Sequence, residues 1–350
     1  MIKYIGSKRA LLGQVGAVIN AVLPDGGTVC DLFSGSSRVG HHMKKMGYRV
    51  WSNDHNAYAH TLATAYVQAD RELWADKAEA VLAELREVPA KAGWFTRMFC
   101  EEARFFHPEN GARIDAMREH IETMDLEPDL KAVVLVSLME AADRVDSTAG
   151  LQMAYMKQWA PRALKPLQLR LPDLVPAVAG GACKATQGDA VDMAPQIDAD
   201  LVYMDPPYNQ HSYLANYHCW ESLVLWDKPE TYGVARKRVD VRERKSAFNS
   251  RPGIKPALEA VIANLKAPNL VVSFNDEGYL SRADLEVMLS SRAHVQVLEI
   301  PRPRYVGARI GIHNLKGERV GEVGRLQNVE RLFVATQHPV DLSGIVPQPK

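Results

Sequence analysis

Asp205-Pro206-Pro207-Tyr208 follows directly on the apolar run Leu201-Val202-Tyr203-Met204. An acid, two prolines and a phenol therefore fall in a turn at the C-terminal end of a buried strand. In open α/β sheets that edge is where ligands and reacting groups gather. These residue types together suit methylation of an amino nitrogen conjugated to an aromatic ring. Such a nitrogen is a weak nucleophile because its lone pair is delocalised. Asp205 and the carbonyl of Pro206 can each accept one of its N–H groups and return electron density to it. The prolines fix φ and donate no hydrogen bond, so Pro206 and Pro207 present carbonyl oxygens rigidly. Tyr208 adds a face on which a flat base can stack. Asp and Pro also favour ordinary turns, so the tetrapeptide acquires meaning only from its surroundings.

Those surroundings begin upstream. Thr28 to Phe33 is a short β-forming run, Ser34-Gly35-Ser36-Ser37 a small-residue loop, and Arg38 to Met46 a helix-like stretch. Tyr48 to Asn53 reads as a second strand ending at Asp54. Strand, glycine loop, helix, strand and acid in this order make the βαβ arrangement of a nucleotide-type cofactor site. The glycine lets a ligand approach the backbone, and the acid is placed to accept two ribose hydroxyls. From about Tyr66 to Pro172 the texture becomes helical, with apolar residues at helical spacing over Tyr66–Val88, Ala112–Met124 and Asp129–Val145. Pro89, Pro108 and Pro128 punctuate that block. Strand character returns at Ala182–Gln187, Asp200–Asp205, Leu270–Asn275, Val295–Pro301 and Arg331–Thr336. The expected architecture is α/β: a sheet domain from 1–66 and 182–340, split by a helical insertion over 67–181, with coil from 341–350.

Bulk properties bound the rest. At 350 residues and 47% hydrophobic content the chain can build a large core, which argues against disorder. The four cysteines (Cys30, Cys100, Cys183, Cys219) are scattered, with no zinc or disulfide spacing, and fit a reducing, cytoplasmic setting. Met1 to Val22 is basic and then apolar, but Gly13, Gln14 and Gly16 interrupt it, so no signal peptide is expected. No run approaches the length of a membrane span, and no membrane association is expected.

Formal net charge is zero, yet charge is unevenly placed. Arg236, Lys237, Arg238, Arg242, Arg244, Lys245, Arg251 and Lys255 crowd one stretch against Asp240 and Glu243. Arg302, Arg304, Arg309, Lys316, Arg319 and Arg325 form another. A neutral protein can grip phosphates through one basic face, although a charge run is more often simply a solvated loop. Ser246, Asn249, Ser250 and Gly253 interleave the first stretch, which favours a backbone-gripping loop. Arg236, Arg238, Arg242, Lys245 and Arg251 are the candidate contacts, with Lys157 a weaker one.

From Tyr4 to Thr336 these residues resemble the D12 class of adenine-specific DNA methyltransferases. Tyr-Ile-Gly-Ser-Lys (Tyr4 to Lys8) resembles the family's opening segment, whose aromatic and lysine flank the methionine part of S-adenosylmethionine. Asp31-Leu32-Phe33-Ser34-Gly35 is similar to its first cofactor motif. Asn53-Asp54 is similar to the ribose-binding acid, and Gly188-Asp189 to the group that reads the cofactor's adenine. Asp205 to Tyr208 is similar to the catalytic motif, in which Asp205 also borders the cofactor. Ser273 to Gly278 resembles a strand end lining the target pocket, and Val329 to Phe333 the last, antiparallel strand. Leu138 to Trp159 resembles a stretch near the substrate, although most of Met139, Met153 and Met156 there read more simply as core.

The resemblance implies a Rossmann-like, mostly parallel sheet and methyl transfer from S-adenosylmethionine to a flipped adenine in duplex DNA, without a metal. The helical insertion would be the target-recognition domain, and a cognate restriction endonuclease a candidate partner. Asp205 itself points to adenine, since related enzymes acting on cytosine tend to carry serine there and those acting on protein glutamine asparagine. Two other readings stand beside this one: an RNA adenine methyltransferase, and a silent cofactor-sensing DNA-binding subunit. One departure concerns the loop, where Ser36-Ser37 stands in place of a second glycine; a serine there is strained if φ must be positive. Asp31 is expected to organise the loop, and His211 to be a surface or structural histidine. Recognition sequence and oligomeric state are not legible.

Overall fold

The runs with strand character become strands in the computed structural model, which describes residues 1–303 and 327–345, and one short pair is added to them. In chain order these are β1 (Thr28–Asp31), β2 (Arg49–Asp54), β3 (Lys184–Gln187), β4 (Leu201–Met204), a two-residue pair β5 (Thr231–Tyr232) and β6 (Lys237–Arg238), then β7 (Asn269–Asn275), β8 (His294–Pro303) and β9 (Gln327–Thr336). Seven of them form one sheet in the order β3-β2-β1-β4-β7-β9-β8. All neighbours are parallel except the two pairs made by β9, which runs against both β7 and β8. This is the mostly parallel α/β sheet with one antiparallel strand that the sequence implied.

The central strands are buried on both faces, which is why they read as continuous apolar runs. Their alternation feeds two cores. Val29, Val50 and Tyr203 pack on one side with Val15, Ile19 and Met43 of the flanking helices. Cys30, Val202 and Val272 pack on the other with Leu258, Ile262 and Leu285. The inserted block is helical, with helices at Arg71–Glu87, Pro108–Thr123 and Pro128–Arg144. Leu82, Phe95 and Val134 of this block belong to the first core, so the insertion shares one apolar cluster with the sheet.

The helix expected from Tyr66 starts later. The chain passes through a π turn at Thr64–Gln68, and Asp70 then caps the helix by accepting from Glu72 N at 3.0 Å. Residues 338–345 carry neither helix nor strand. Residues 346–350 of the expected coil tail lie outside the described residues, as do Arg304, Arg309, Lys316, Arg319 and Arg325. Among the described residues, no helix is long and apolar enough to cross a membrane.

Candidate active site

The strand order reverses between β1 and β4, so the loops leaving their C-terminal ends diverge and open a cleft between them. The first loop turns on Gly35 at φ +48°, where a Cβ would lie 3.0 Å from the Tyr4 hydroxyl. Gly35 N donates to Asp54 Oδ2 at 2.8 Å, and Asn56 N donates to Asp54 Oδ1 at 3.0 Å, which fixes the acid at the tip of β2. Asp31 accepts from Gly40 N at 3.0 Å and so ties the loop to its helix. Burial pushes the Asp31 carboxyl up to about 7. Asp189 caps the short helix after β3 by accepting from Val191 N at 2.9 Å. The cleft spans roughly 950 Å³ when the open solvent at its mouth is counted, and its walls include Tyr4, Lys8, Asp31, Phe33, Gly35, Asp54, Asp189 and Asp205. Structure thus brings together, in one cavity, all the residues expected to meet the cofactor.

Asp205 leaves the end of β4 and meets Lys8 from the N-terminal turn, Nζ to Oδ1 at 3.0 Å. The same ammonium donates to Glu330 Oε1 on β9 at 2.6 Å. Burial, only partly offset by Lys8, raises the Asp205 carboxyl to about 6. Pro207 lines the cleft and Pro206 is buried. Tyr208 packs against Phe274 with ring centres 5.4 Å apart. Its hydroxyl accepts from Asn275 Nδ2 at 2.8 Å, and its carbonyl accepts from Tyr279 N at 2.9 Å. The strand-end segment Ser273 to Gly278 therefore sits against the Asp205–Tyr208 turn.

Sequence reading missed the wall built by residues 212–249. Tyr4 stacks on Tyr213 (5.2 Å between ring centres) and on Tyr217 (4.7 Å). Tyr213, Arg244, Ser246, Phe248 and Asn249 line the cleft. Phe33 meets Phe248 edge to face at 5.0 Å. Asn249 Nδ2 donates to the carbonyls of Asn209 and His211, so one loop pins the other. His211 is exposed. Glu221, fully buried, accepts from the backbone N–H groups of Ala57 and Tyr58 and from Arg244 at 2.8 Å. A run of aromatics alternating with small polar residues after the catalytic turn was the available signal.

The basic residues divide. Arg238 is buried, and its fork is filled by Asp227, with two hydrogen bonds of 2.7 Å, and by Asp240. It braces the β5–β6 pair and offers nothing to a phosphate, which corrects the expectation from sequence. Arg236 is half-buried and paired with Glu102. Arg242 lies over the Tyr232 ring at 3.9 Å yet remains exposed, as are Lys245, Arg251 and Lys157. Met139 is core, whereas Met153 and Met156 are exposed, contrary to the core reading.

Residues 4–273 match the family described as D12 class N6 adenine-specific DNA methyltransferase. The chain is 33% identical over 293 residues to the Type II methyltransferase M.NlaIII of Neisseria lactamica, covering 80% of this chain and 85% of that one. It is 27% identical over 311 residues to the Type II methyltransferase M.CviAII of Paramecium bursaria Chlorella virus 1, covering 85% and 90%. Against the Type II methyltransferase M.FokI of Planomicrobium okeanokoites it is 30% identical and spans 49% of that protein's length. With the acid-Pro-Pro-Tyr turn and the glycine-loop cleft meeting at Asp205, the chain belongs to the D12 class of N6 adenine-specific DNA methyltransferases.

Proposed function

We propose that the cleft binds S-adenosylmethionine and that Asp205 receives the exocyclic amino group of an adenine turned out of duplex DNA. The observation that carries this reading is the position of Asp205, which borders the cleft of Gly35 and Asp54 and begins the Pro206-Pro207-Tyr208 turn. The loop fits such a cofactor. Ser34 Oγ and Arg38 Nε are buried without a hydrogen-bond partner, and both residues line the cleft. A Cβ at Gly35 would fill the space beside Tyr4. Asp54 would hold ribose hydroxyls, Asp189 would face the adenine end, and Tyr4 would wall the methionine end. Bound there, the sulfonium supplies the methyl group and its own leaving group.

The chain's residues do the rest by placement and charge. Asp205 and the Pro206 carbonyl each accept a hydrogen bond from the amino group, and the one surplus proton of the methylated nitrogen passes to solvent after transfer, so Asp205 need not be a strong base. Flipping the base costs a few kcal/mol. Stacking on Tyr208 would return roughly 1–3 kcal/mol of it. Lys157, Arg242, Lys245 and Arg251 are the exposed cations offered to DNA phosphates, and residues 67–181 are proposed to read the target. A cognate restriction endonuclease is the proposed partner, supported by relatives named as Type II methyltransferases.

The test is expression in a methylation-free host followed by sequencing that detects methyladenine. Methylated adenines confined to one short sequence, and their loss in Asp205→Ala with cofactor binding partly retained, are expected. Near-normal methylation by Asp205→Ala would remove the site from this reading.

A further inference from the structure

Lys8, Asp205, Ser273 and Glu330 come from the N-terminal turn, the catalytic turn, β7 and β9, and they converge in one buried network. Lys8 is 7% exposed and Glu330 9% exposed, and Ser273 is fully buried. Lys8 Nζ reaches Glu330 Oε1 at 2.6 Å and Asp205 Oδ1 at 3.0 Å. Ser273 Oγ donates to the same Glu330 oxygen at 2.8 Å. Two donors aimed at one oxygen suit a carboxylate, and the shorter of the two Lys8 ion pairs belongs to Glu330 rather than to Asp205. The lysine is therefore shared, and Glu330 has the larger claim on it.

We propose that Glu330 is a positioning residue for methyl transfer: by drawing the Lys8 ammonium away from Asp205, it keeps the Asp205 carboxylate available to the incoming amino group. This inference rests on the proposed role of Asp205 as acceptor. A carboxylate fully engaged by an ammonium gives little electron density to a weak N–H donor. One that shares its cation with a second carboxylate gives more. The register makes the arrangement possible, because antiparallel pairing sets Glu330 directly opposite Asn275 at the C-terminal end of β7. Ser273, two residues earlier on β7, holds Glu330 in place from the same face.

The groups acting on Asp205 come from every element around it. Lys8 favours its ionised form, and Glu330 on β9 opposes it. Asp31 at the end of β1, Tyr203 on β4, Tyr208 in the catalytic turn and Tyr213 on the following helix also feel its charge. Neutralising Glu330 removes a like charge and leaves the whole of Lys8 to Asp205. Glu330→Gln should therefore lower the pH of the acid limb of kcat/KM by about one unit, as expected for one close neighbouring charge. Above that limb it should reduce kcat by about tenfold or more, because Asp205 is then held by the lysine.

The experiment uses the full chain, the target duplex and S-adenosylmethionine, with S-adenosylhomocysteine titrations to follow the cofactor site. Glu330→Gln is expected to bind S-adenosylhomocysteine within about threefold of wild type while kcat falls and the acid limb moves down. Glu330→Asp, which keeps the charge, should recover much of both. Lys8→Met should move the acid limb up, and Lys8→Met/Glu330→Gln should match Lys8→Met in kcat, since the hold on the Asp205 carboxylate runs through the lysine, while its acid limb lies below that of Lys8→Met because the direct like charge is gone. An unshifted acid limb in Glu330→Gln overturns the proposal, as does a double variant markedly worse than Lys8→Met. If Glu330→Gln fails to fold, the comparison of Lys8→Met with the double variant still decides it. Asp205→Ala is run alongside: its full activity would sink the acceptor reading itself, whereas its inactivity beside a wild-type Glu330→Gln sinks only the role of Glu330.

Discussion

Ser37 occupies the position where the glycine loop departs from its usual composition, and it adopts φ +57°, ψ +20°, the left-handed region. Its side chain is fully buried, and its Oγ has no hydrogen-bond partner. It also stands at the N-cap of the helix Arg38–Lys45 without providing a side-chain cap. An L-residue in that region costs roughly 1–2 kcal/mol relative to the right-handed one. A buried, unpaired hydroxyl costs about 1–3 kcal/mol more. Ser37→Gly removes both, against the roughly 0.5–1 kcal/mol of added chain entropy that glycine loses on folding. A small loss of packing also opposes the gain. The net expectation for the ligand-free protein is a gain of about 1–4 kcal/mol. Unfolding entropy for 350 residues is on the order of 0.7 kcal/mol per degree, so the thermal midpoint should rise by roughly 1.5–6 °C. Differential scanning calorimetry reads this directly. If the serine is kept because its hydroxyl meets the cofactor, S-adenosylhomocysteine should bind Ser37→Gly several-fold more weakly even as the free protein becomes more stable. A midpoint unchanged or lowered in the free variant would show that the strain argument is wrong.

Gly35→Ala should be the converse case: the new methyl enters at a positive φ and meets the Tyr4 ring, so cofactor binding should fall at least tenfold by calorimetric titration. Burial raises Asp205 to about 6, so its ionised form is present above that pH and lost below it. With a single proton involved, kcat/KM should fall about tenfold per unit below pH 6 and level off above, and a flat profile down to pH 5 would contradict this. Arg238→Ala should cost about 1–3 kcal/mol in denaturant titrations because it strands Asp227 and Asp240, a figure reduced because both acids are partly exposed to water. Lys245→Ala and Arg251→Ala should leave stability within about 0.5 kcal/mol. Each should also reduce the salt dependence of duplex binding, by about 0.9 in log–log slope for every phosphate the variant no longer neutralises.

What could be read from sequence was what local chemistry encodes. Strand, loop, helix, strand and acid around Gly35 and Asp54 lie within a few dozen residues, and their order alone specifies the cleft floor. The continuous apolar runs of β1 and β4 announced strands buried on both faces. Charge was harder to read, because Arg238 and Arg251 look alike in sequence and differ only in whether acids fold against them. Asp240 lies two residues beyond Arg238, but Asp227 precedes β5 and meets the arginine only once β5 and β6 pair, and that pair is too short to leave a periodic signal. Met153 and Met156 failed for the same reason: apolar residues at core-like spacing stay exposed when no partner element arrives.

Glu330 marks the limit more sharply, since it lies 322 positions from the lysine it holds. Every parallel strand of the sheet offers its C-terminal end to one edge, and chemistry in the sequence is sought there. β9 runs the other way, so its N-terminal residues reach that same edge, and a glutamate early in the strand shares a lysine with Asp205. Had β9 been parallel in the same span, Glu330 would pair toward Leu270 at the other end of β7, and Ala335 would stand opposite Asn275. The reversal thus does more than complete the sheet. It brings a second acid to Asp205 without a second loop, and in the rigid setting of a paired strand, where the placement of a buried charge is held by backbone hydrogen bonds rather than by a mobile turn.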